Sequence, residues 1–438
     1  MKSLISTIFK KFYLLINVIY KRIFFEEISP EVEKFIGNIT TVGLGTIIAA
    51  VFNFAFNILA ARWLGPVEYG TFTLIQTVSN FLYIPMLLGF HSALVKYNSE
   101  KINFLRQKSI ISTTYILVLI FTVISFIIYC LFSEELIAIF SISKVNFYFA
   151  ITLAIMFVFY TLTKETLRSL HLIRNYSQLL FVQSIFLFAS FLFFFFVLNV
   201  FSYKATLFSM LIAYGVIGGF SLVIIRKYLH VEFNREWAHI LQKYSIFSLL
   251  GGISSILYQN IDKICINVFI SVSFLGIYGA YNYAFTTIVY LGTSIFCTVF
   301  FPVASMCPDK KMLYNKIRKI IIPLIVIGWP ITFVTGCIIL KLYGEKYPFD
   351  LSLALLFATS GICISIDQLY GQLLNSGGIN GVKVTSFGAI VLAIVNMILN
   401  FMLIPVIGMN GAVIATIIGY LFSIGIVVRY LRKSGYSS

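Results

Sequence analysis

Charged residues are scarce in this chain of 438 residues: they make up 11% of it, whereas hydrophobic residues make up 60%. A soluble domain carries about 25% charged and about 45–50% apolar residues, so this composition excludes a soluble fold. About twenty apolar residues span a bilayer as a helix, which leaves room for about twelve such helices but for no sizeable soluble domain. The composition therefore predicts an all-α polytopic membrane protein.

Sequence patterns that accompany catalysis and metal binding are also missing. The chain has no phosphate-binding glycine-rich loop, no nucleophile elbow and no paired-carboxylate active site. Its six cysteines form no CxxC pair, and nearly all lie in apolar stretches, where cysteine acts as a small hydrophobic residue. We therefore predict no enzymatic activity, no metal and no bound cofactor.

Apolar runs of membrane-spanning length are frequent. The predicted spans are 39–61, 71–95, 110–132, 147–163, 178–199, 206–225, 245–270, 277–303, 320–340, 351–374, 384–406 and 411–428. The basic stretch 226–243 is the predicted cytoplasmic linker between two six-helix bundles, 36–225 and 244–438, with a central cavity. Lysines and arginines interrupt the apolar run in 1–35, which predicts an amphipathic cytoplasmic segment on the membrane surface.

The basic residues are distributed unevenly between the two sides of the predicted membrane. With the N-terminus in the cytoplasm, 26 of the 32 Lys and Arg residues fall in inner segments. The outer segments hold only Arg62, Lys144, Lys204, Lys341 and Lys346. Because cytoplasmic loops accumulate Lys and Arg, we predict a protein of the inner cell membrane with both termini cytoplasmic. The net charge of +16 then requires no nucleic-acid partner.

The two halves of the chain also match each other. A shift of 206 residues aligns Gly45 with Gly251, Ile58 with Ile264, Gly70 with Gly276, Phe72 with Tyr278 and Tyr214 with Tyr420. Each half holds an even number of spans, so both have the same orientation. This parallel repeat is typical of transporters whose substrate site lies between two bundles.

Several motifs resemble one transporter family. The stretch 59–74 contains R-x-L-G-P-x-E-Y-G, which is similar to the end of the first helix in polysaccharide flippases of the O-antigen (Wzx) type. These flippases belong to the multidrug/oligosaccharidyl-lipid/polysaccharide exporter superfamily. The stretches 262–284, 342–350 and 373–416 resemble the same family, the last through its Leu-Ile-Pro-x-x-Gly hairpin. The resemblance covers about residues 36–431.

The resemblance implies a flippase for a polyprenyl-diphosphate-linked oligosaccharide, serving O-antigen, lipopolysaccharide or capsule synthesis. Its implied partners are that lipid, the membrane and other membrane proteins of polysaccharide assembly. Because no ATP-binding motif is present, an H⁺ or Na⁺ gradient or consumption of the product would supply the energy.

Two alternative functions remain at this stage. A cation-coupled drug exporter of the same superfamily is not expected to contain both the 62–70 and the 403–416 patterns. A membrane-bound glycan polymerase or acyltransferase should have a long outward or His-rich loop, and neither is present.

Polar residues at helical spacing inside the apolar runs are the candidate site residues, since such groups normally face a cavity or a partner. On the seventh run, Gln259, Lys263 and Asn267 recur every four residues. The predicted substrate-cavity residues are Asn53, Asn57, Gln76, Asn80, Gln259, Lys263, Asn267, Tyr278, Asn282 and Gln372. Each amide could instead bond a neighbouring helix.

Two carboxylates within the predicted spans, Asp262 and Asp367, are candidates for ion coupling. We favour Asp367, because no basic residue lies within four positions of it on its own helix. Asp262, in contrast, is followed directly by Lys263, whose positive charge favours the ionised carboxylate.

Charged residues at both membrane faces complete the set of candidates. Lys164, Arg168 and Arg174 cluster at the predicted inner mouth, where a diphosphate head group would arrive. They could equally be cytoplasmic anchors. At the outer turn, Arg62 and Glu68 are placed to form an ion pair.

The predicted topology can be tested with reporter fusions after Lys108, after Arg235 and at Ser438. Because of the uneven distribution of basic residues, all three fusions should report a cytoplasmic location. A periplasmic signal at Ser438 would contradict the even number of spans.

Overall fold

The computed structural model describes residues 48–100, 103–306 and 310–434, which are almost entirely helical and contain no strand. Their twelve main helical segments are labelled α1 to α12. They are α1 (Ile48–Leu64), α2 (Pro66–Leu87 and Phe90–Ser99), α3 (Phe104–Leu131), α4 (Lys144–Ser169), α5 (Ile173–Val197), α6 (Tyr203–Tyr228), α7 (Arg235–Phe269), α8 (Val272–Tyr281, Asn282–Thr287 and Ile288–Met306), α9 (Lys310–Tyr343), α10 (Leu351–Ser376), α11 (Ile379–Ile407) and α12 (Met409–Lys433).

The helices match the predicted spans. Within the described residues, eight are long and apolar enough to cross a membrane, and ten are if the bent α2 and α7 each count as one span. The eighth predicted span falls on α8, and the described part of the first, from residue 48 onward, falls on α1. The polytopic all-α fold is therefore confirmed. We call α1–α6 the first bundle and α7–α12 the second bundle.

Only some of the predicted domain limits can be compared with the helix bounds of the described residues. The segment 1–35 lies outside the described residues. Within the predicted linker 226–243, a short 3-10 turn ends α6 at Tyr228, and α7 already begins at Arg235. Asn234 caps α7 by accepting a hydrogen bond from the Trp237 amide at 3.0 Å.

Bends in α2 and α7 enclose a cavity between the bundles. The two parts of α2 meet at 54° where Pro85 is followed by Leu88 and Gly89, both with positive φ. The two parts of α7 meet at 44°, just before Gly251 and Gly252. A cavity of about 230 Å³ lies between these bends.

The bundles touch most closely where α2 crosses the first part of α8. A Cβ atom on Gly70 would lie 2.0 Å from the Val272 carbonyl oxygen, and one on Gly276 would lie 2.0 Å from the Pro66 carbonyl oxygen. Only glycine permits this approach of two backbones. We call this end of the molecule, which carries the α1–α2 turn, the Gly65 end.

Two further hydrogen bonds join the bundles at the Gly65 end. The Tyr347 hydroxyl donates to the Ala61 carbonyl at 2.9 Å, and the Arg62 guanidinium donates to the Leu342 carbonyl at 3.4 Å. The main apolar core of the described residues continues across this junction, because it contains buried side chains of both bundles.

The predicted ion pair between Arg62 and Glu68 is wrong. Glu68 instead accepts a hydrogen bond from the Tyr203 amide at 2.7 Å, at the start of α6. The N-terminus of a helix offers unpaired amides and a positive dipole end, and the C-terminal turn of α9 offers unpaired carbonyls to Arg62. Each side chain therefore binds a helix terminus rather than the other side chain.

The glycine crossing predicts a sharp difference between two substitutions on α8. Gly276→Ala should force α2 and α8 apart and destabilise the protein by about 1–3 kcal/mol. Gly279→Ala is the matched control, because its Cβ would meet only Thr73 and Tyr69 side-chain atoms at 3.6 Å. Thermal unfolding in detergent should show a lower midpoint for the first variant alone. Equal midpoints would contradict the close contact.

Candidate functional site

A cavity of about 270 Å³ lies inside the second bundle, between α7, α8, α10 and α12. We call it the charged cavity. Five of the residues singled out in the sequence line it: Gln259, Asp262, Lys263, Tyr278 and Asn282. The structure adds Tyr258, Thr286, Tyr290, Ser360, Thr416 and Tyr420 to its polar wall. The polar residues of α7 and α8 thus face one space.

The two charged groups of this cavity have different partners. The Tyr278 hydroxyl donates a hydrogen bond to the Asp262 carboxylate, which is 6% exposed. The Lys263 ammonium donates to the Asn260 amide oxygen at 3.4 Å. Among the described residues, neither charge takes part in an ion pair within 4 Å. The hydrogen-bond partner of the Lys263 ammonium is thus a neutral amide, while the Asp262 carboxylate is its electrostatic neighbour.

Another cavity, of about 230 Å³, lies inside the first bundle, and we call it the first cavity. The predicted Asn53, Asn57 and Gln76 line it, together with Gln183 of α5 and Tyr214 of α6. The sequence predicts one substrate cavity between the bundles, whereas the structure divides these residues between a cavity in each bundle.

Some amides of the first cavity are already hydrogen-bonded within the protein. The Asn53 amide donates to the Ser184 hydroxyl at 3.1 Å, and the Asn57 amide donates to the Asn53 carbonyl at 2.8 Å. The Tyr69 hydroxyl donates to the Asn57 side-chain oxygen at 3.2 Å. These bonds fix the orientation of the α1 amides relative to α2 and α5.

The remaining predicted amides lie outside both cavities. Asn80 donates to Asn260 at 3.3 Å and so joins α2 to α7 across the bundle interface. Asn267 donates to the carbonyls of Phe140 and Ser141, each at 3.1 Å, near the Gly65 end. Gln372 on α10 lines neither cavity. Asn80 and Asn267 thus adopt the helix-bonding role that the sequence leaves open.

Asp367 does not line the charged cavity, although it lies near Tyr258 and Tyr420 of its wall. Its carboxylate accepts a hydrogen bond from the Ser423 hydroxyl at 2.7 Å, which links α10 to α12. None of the ion pairs in the described part of the chain includes Asp367. The surroundings of Asp367 thus agree with the assumption that no basic residue forms an ion pair with it. Its role in ion coupling remains a prediction.

Two of the three predicted diphosphate-entry residues, Lys164 and Arg168, contact one buried carboxylate. Glu165, 6% exposed, lies 2.8 Å from the Arg168 guanidinium and 3.6 Å from the Lys164 ammonium. The Lys164 ammonium also lies over the Tyr160 ring, 5.3 Å from its centre. Arg174 is exposed at the start of α5. Lys164 and Arg168 are therefore partly neutralised by Glu165.

Sequence reasoning missed several wall residues that helical spacing could have found. Tyr278, Asn282, Thr286 and Tyr290 recur every four residues along α8 and all line the charged cavity. Gln183 is the single amide in the middle of an apolar run and shows no such stripe. Its place in the first cavity depends on how α5 packs against α1 and α6.

The two cavities can bind polar molecules but have no arrangement for bond chemistry. Hydroxyls and amides both donate and accept hydrogen bonds, and Lys263 adds one positive charge. Within the described residues, no group of three His, Cys, Asp or Glu side chains is placed to hold a metal ion. These groups can bind a polar molecule that carries hydroxyls or a negative charge.

Comparison with known proteins agrees with this geometry. A family model described as "Polysaccharide biosynthesis protein" matches residues 58–348. The probable flippase AglR of Haloferax volcanii is 28% identical over 233 residues, covering 51% of this chain and 47% of that protein. The chain thus spans about half the length of the curated relatives it matches.

Two solved structures show the same fold. An inward-facing multidrug resistance MATE transporter of the MOP superfamily aligns over 88% of this chain and 94% of its own, with a TM-score of 0.69 and 15% identity. The lipid II flippase MurJ, in an inward closed conformation, aligns over 89% and 87%, with a TM-score of 0.60 and 14% identity. The chain therefore belongs to the polysaccharide biosynthesis protein family and shares the fold of these two solved structures.

Proposed function

We propose that this protein flips a polyprenyl-diphosphate-linked oligosaccharide from the cytoplasmic to the outer leaflet by alternating access between its two bundles. The observation that carries the proposal is the charged cavity. It contains a lysine whose hydrogen-bond partner is a neutral amide, in a wall rich in hydroxyls. Family membership and the flippases AglR and MurJ among its relatives and structural neighbours support the same assignment.

The chemistry of such a substrate explains why a protein path is needed. A diphosphate and many hydroxyls have no hydrogen-bond partners in hydrocarbon, so their unassisted passage is costly. A polar cavity replaces part of their hydration, while the lipid tail stays in the bilayer. Lys263 would then bind an anionic oxygen of the diphosphate, and the amides would bind sugar hydroxyls.

The wider setting is part of the proposal. The product would feed a surface polysaccharide such as O-antigen, lipopolysaccharide or capsule, with other membrane proteins of polysaccharide assembly as partners. The chain would lie in the cytoplasmic membrane with both termini inside. An H⁺ or Na⁺ gradient would drive the cycle, and Lys164, Arg168 and Arg174 would receive the diphosphate at the inner face.

A small-molecule exporter is the second candidate, and Asp262 is the observation that favours it. A buried carboxylate in a cavity can attract a cationic compound. However, the Tyr278 hydroxyl already occupies this carboxylate, and Lys263 beside it repels cations. The geometry thus favours an anionic substrate over a cationic one.

Substitutions of Lys263 test the proposed flippase function. Lys263→Ala and Lys263→Glu should strongly reduce flipping of a lipid-diphosphate-linked glycan in reconstituted vesicles. Lys263→Arg should retain a good part of it, because the charge and reach of the side chain survive. The measurement is the fraction of labelled glycan that becomes accessible to an impermeant enzyme outside the vesicle.

Lys204 supplies the matched control for this experiment. It is an exposed lysine at the start of α6 and lines neither cavity. The Lys204→Glu variant should therefore flip the glycan at the wild-type rate. Full flipping by a normally inserted Lys263→Glu protein would overturn the role of Lys263. Gradient-driven export of cationic dyes without any glycan flipping would favour the exporter instead.

Ion coupling is tested by comparing substitutions of Asp367 and Asp262. Asp367→Asn should abolish the gradient dependence of flipping and leave glycan binding measurable, because Asp367 forms no ion pair among the described residues and does not line the charged cavity. Asp262→Asn should instead weaken glycan binding, since it changes the cavity wall. Unchanged gradient dependence in Asp367→Asn would remove this residue from the mechanism.

A further inference from the structure

The two intrabundle cavities are related by the internal repeat. The shift of 206 residues that aligns the halves of the chain also aligns seven of the ten positions that line the first cavity with positions that line the charged cavity. Four of these pairs join residues of the same type, amide or aromatic: Asn53 with Gln259, Gln76 with Asn282, Phe72 with Tyr278, and Tyr214 with Tyr420. The first cavity is therefore the repeat counterpart of the charged cavity.

The first cavity differs from the charged cavity in the charge of its wall. Where the second bundle has Asp262 and Lys263, the first bundle has Phe56 and Asn57, and both of these line its cavity. None of the described residues that line the first cavity is charged. The two halves thus present the same wall positions with different ligand preferences, one for an anion and one for an uncharged group.

Unused hydrogen-bonding groups remain in the first cavity. The Gln76 and Gln183 amides have no hydrogen-bond partner among the described residues, although both line the cavity. The Tyr160 and Tyr214 rings stack beside them, with centres 4.9 Å apart. Amides that donate and accept, next to aromatic surface, match the alternating hydroxyl and C–H groups of a sugar ring.

We propose that the first-bundle cavity is a binding subsite for an uncharged sugar ring of the glycan. Its volume of about 230 Å³ lies below the roughly 300–1,000 Å³ of sites for drug-sized ligands, which suits one ring. This inference rests on the proposed flippase function and deepens it. The diphosphate is assigned to the Lys263 cavity and a neutral sugar to the first bundle.

Direct binding measurements test this subsite without the lipid. The purified protein in nanodiscs is titrated with methyl glycosides of glucose, galactose and N-acetylglucosamine, and with glucuronate as the charged probe, by saturation-transfer NMR. At least one neutral glycoside should bind the wild type. Gln183→Leu should weaken that binding roughly five- to tenfold, as expected for the loss of one or two hydrogen bonds. Asn57→Lys, which installs the residue of the repeat partner, should shift the preference towards glucuronate.

Gln178→Leu is the matched control, because Gln178 lies on the same helix, is exposed and does not line the cavity. It should bind the neutral glycosides as the wild type does. Absence of neutral-glycoside binding to the wild type would overturn the subsite. Equal binding by the wild type, Gln183→Leu and Asn57→Lys would overturn it as well.

The flipping assay separates this inference from the proposed function. Glycan flipping that depends on Lys263, together with sugar binding that is insensitive to Gln183 and Asn57, would leave the function standing and overturn the subsite. Sugar binding that depends on both residues, in a protein that flips no lipid-linked glycan, would support the subsite and overturn the flippase function.

Discussion

The contact between α2 and α8 at Gly70 and Gly276 is the constraint on which the arrangement of the two bundles depends. Each glycine lies against a backbone carbonyl of the other helix, four residues before that helix's own glycine. Without side chains at these two positions, two helices of different bundles can cross at backbone distance. The shared apolar core and the bonds from Tyr347 and Arg62 are assembled around this junction.

The crossing is reciprocal, because equivalent positions of the two halves of the chain contact each other. Polar residues at matching positions of each half then face the inside of their own bundle, which produces a pair of related cavities. Within an apolar protein, each cavity concentrates hydrogen-bonding groups that would be costly to expose to lipid. The difference between the cavities lies in few residues, chiefly Asp262 and Lys263 against Phe56 and Asn57.

Sequence patterns predicted the helices well because hydropathy over twenty residues depends on local composition. The amide stripes were also found, since a four-residue spacing defines one face of a helix. Their distribution between two cavities and the bundle interface could not be predicted, because it depends on how helices distant in sequence pack. Asn80 and Gln76 show this, since one helical turn separates an interface bond from a cavity wall.

The Arg62 and Glu68 prediction failed for a related reason. Opposite charges close in sequence suggest an ion pair, but free helix termini compete for both groups with directed hydrogen bonds. The termini concerned belong to α6 and α9, which lie far along the chain from the α1–α2 turn. Such partners are visible only once the tertiary structure is known.

The reciprocal glycine crossing has a consequence for how the two halves of the chain can diverge. Once a side chain at Gly70 has separated α2 from α8, the space needed at Gly276 is already partly open. The effects of the two substitutions are therefore not additive, and the second costs less than it would in the original background. The two repeat segments, 206 positions apart, thus constrain each other's sequence. A substitution at one glycine changes the effect of a substitution at the other, independently of what the cavities bind.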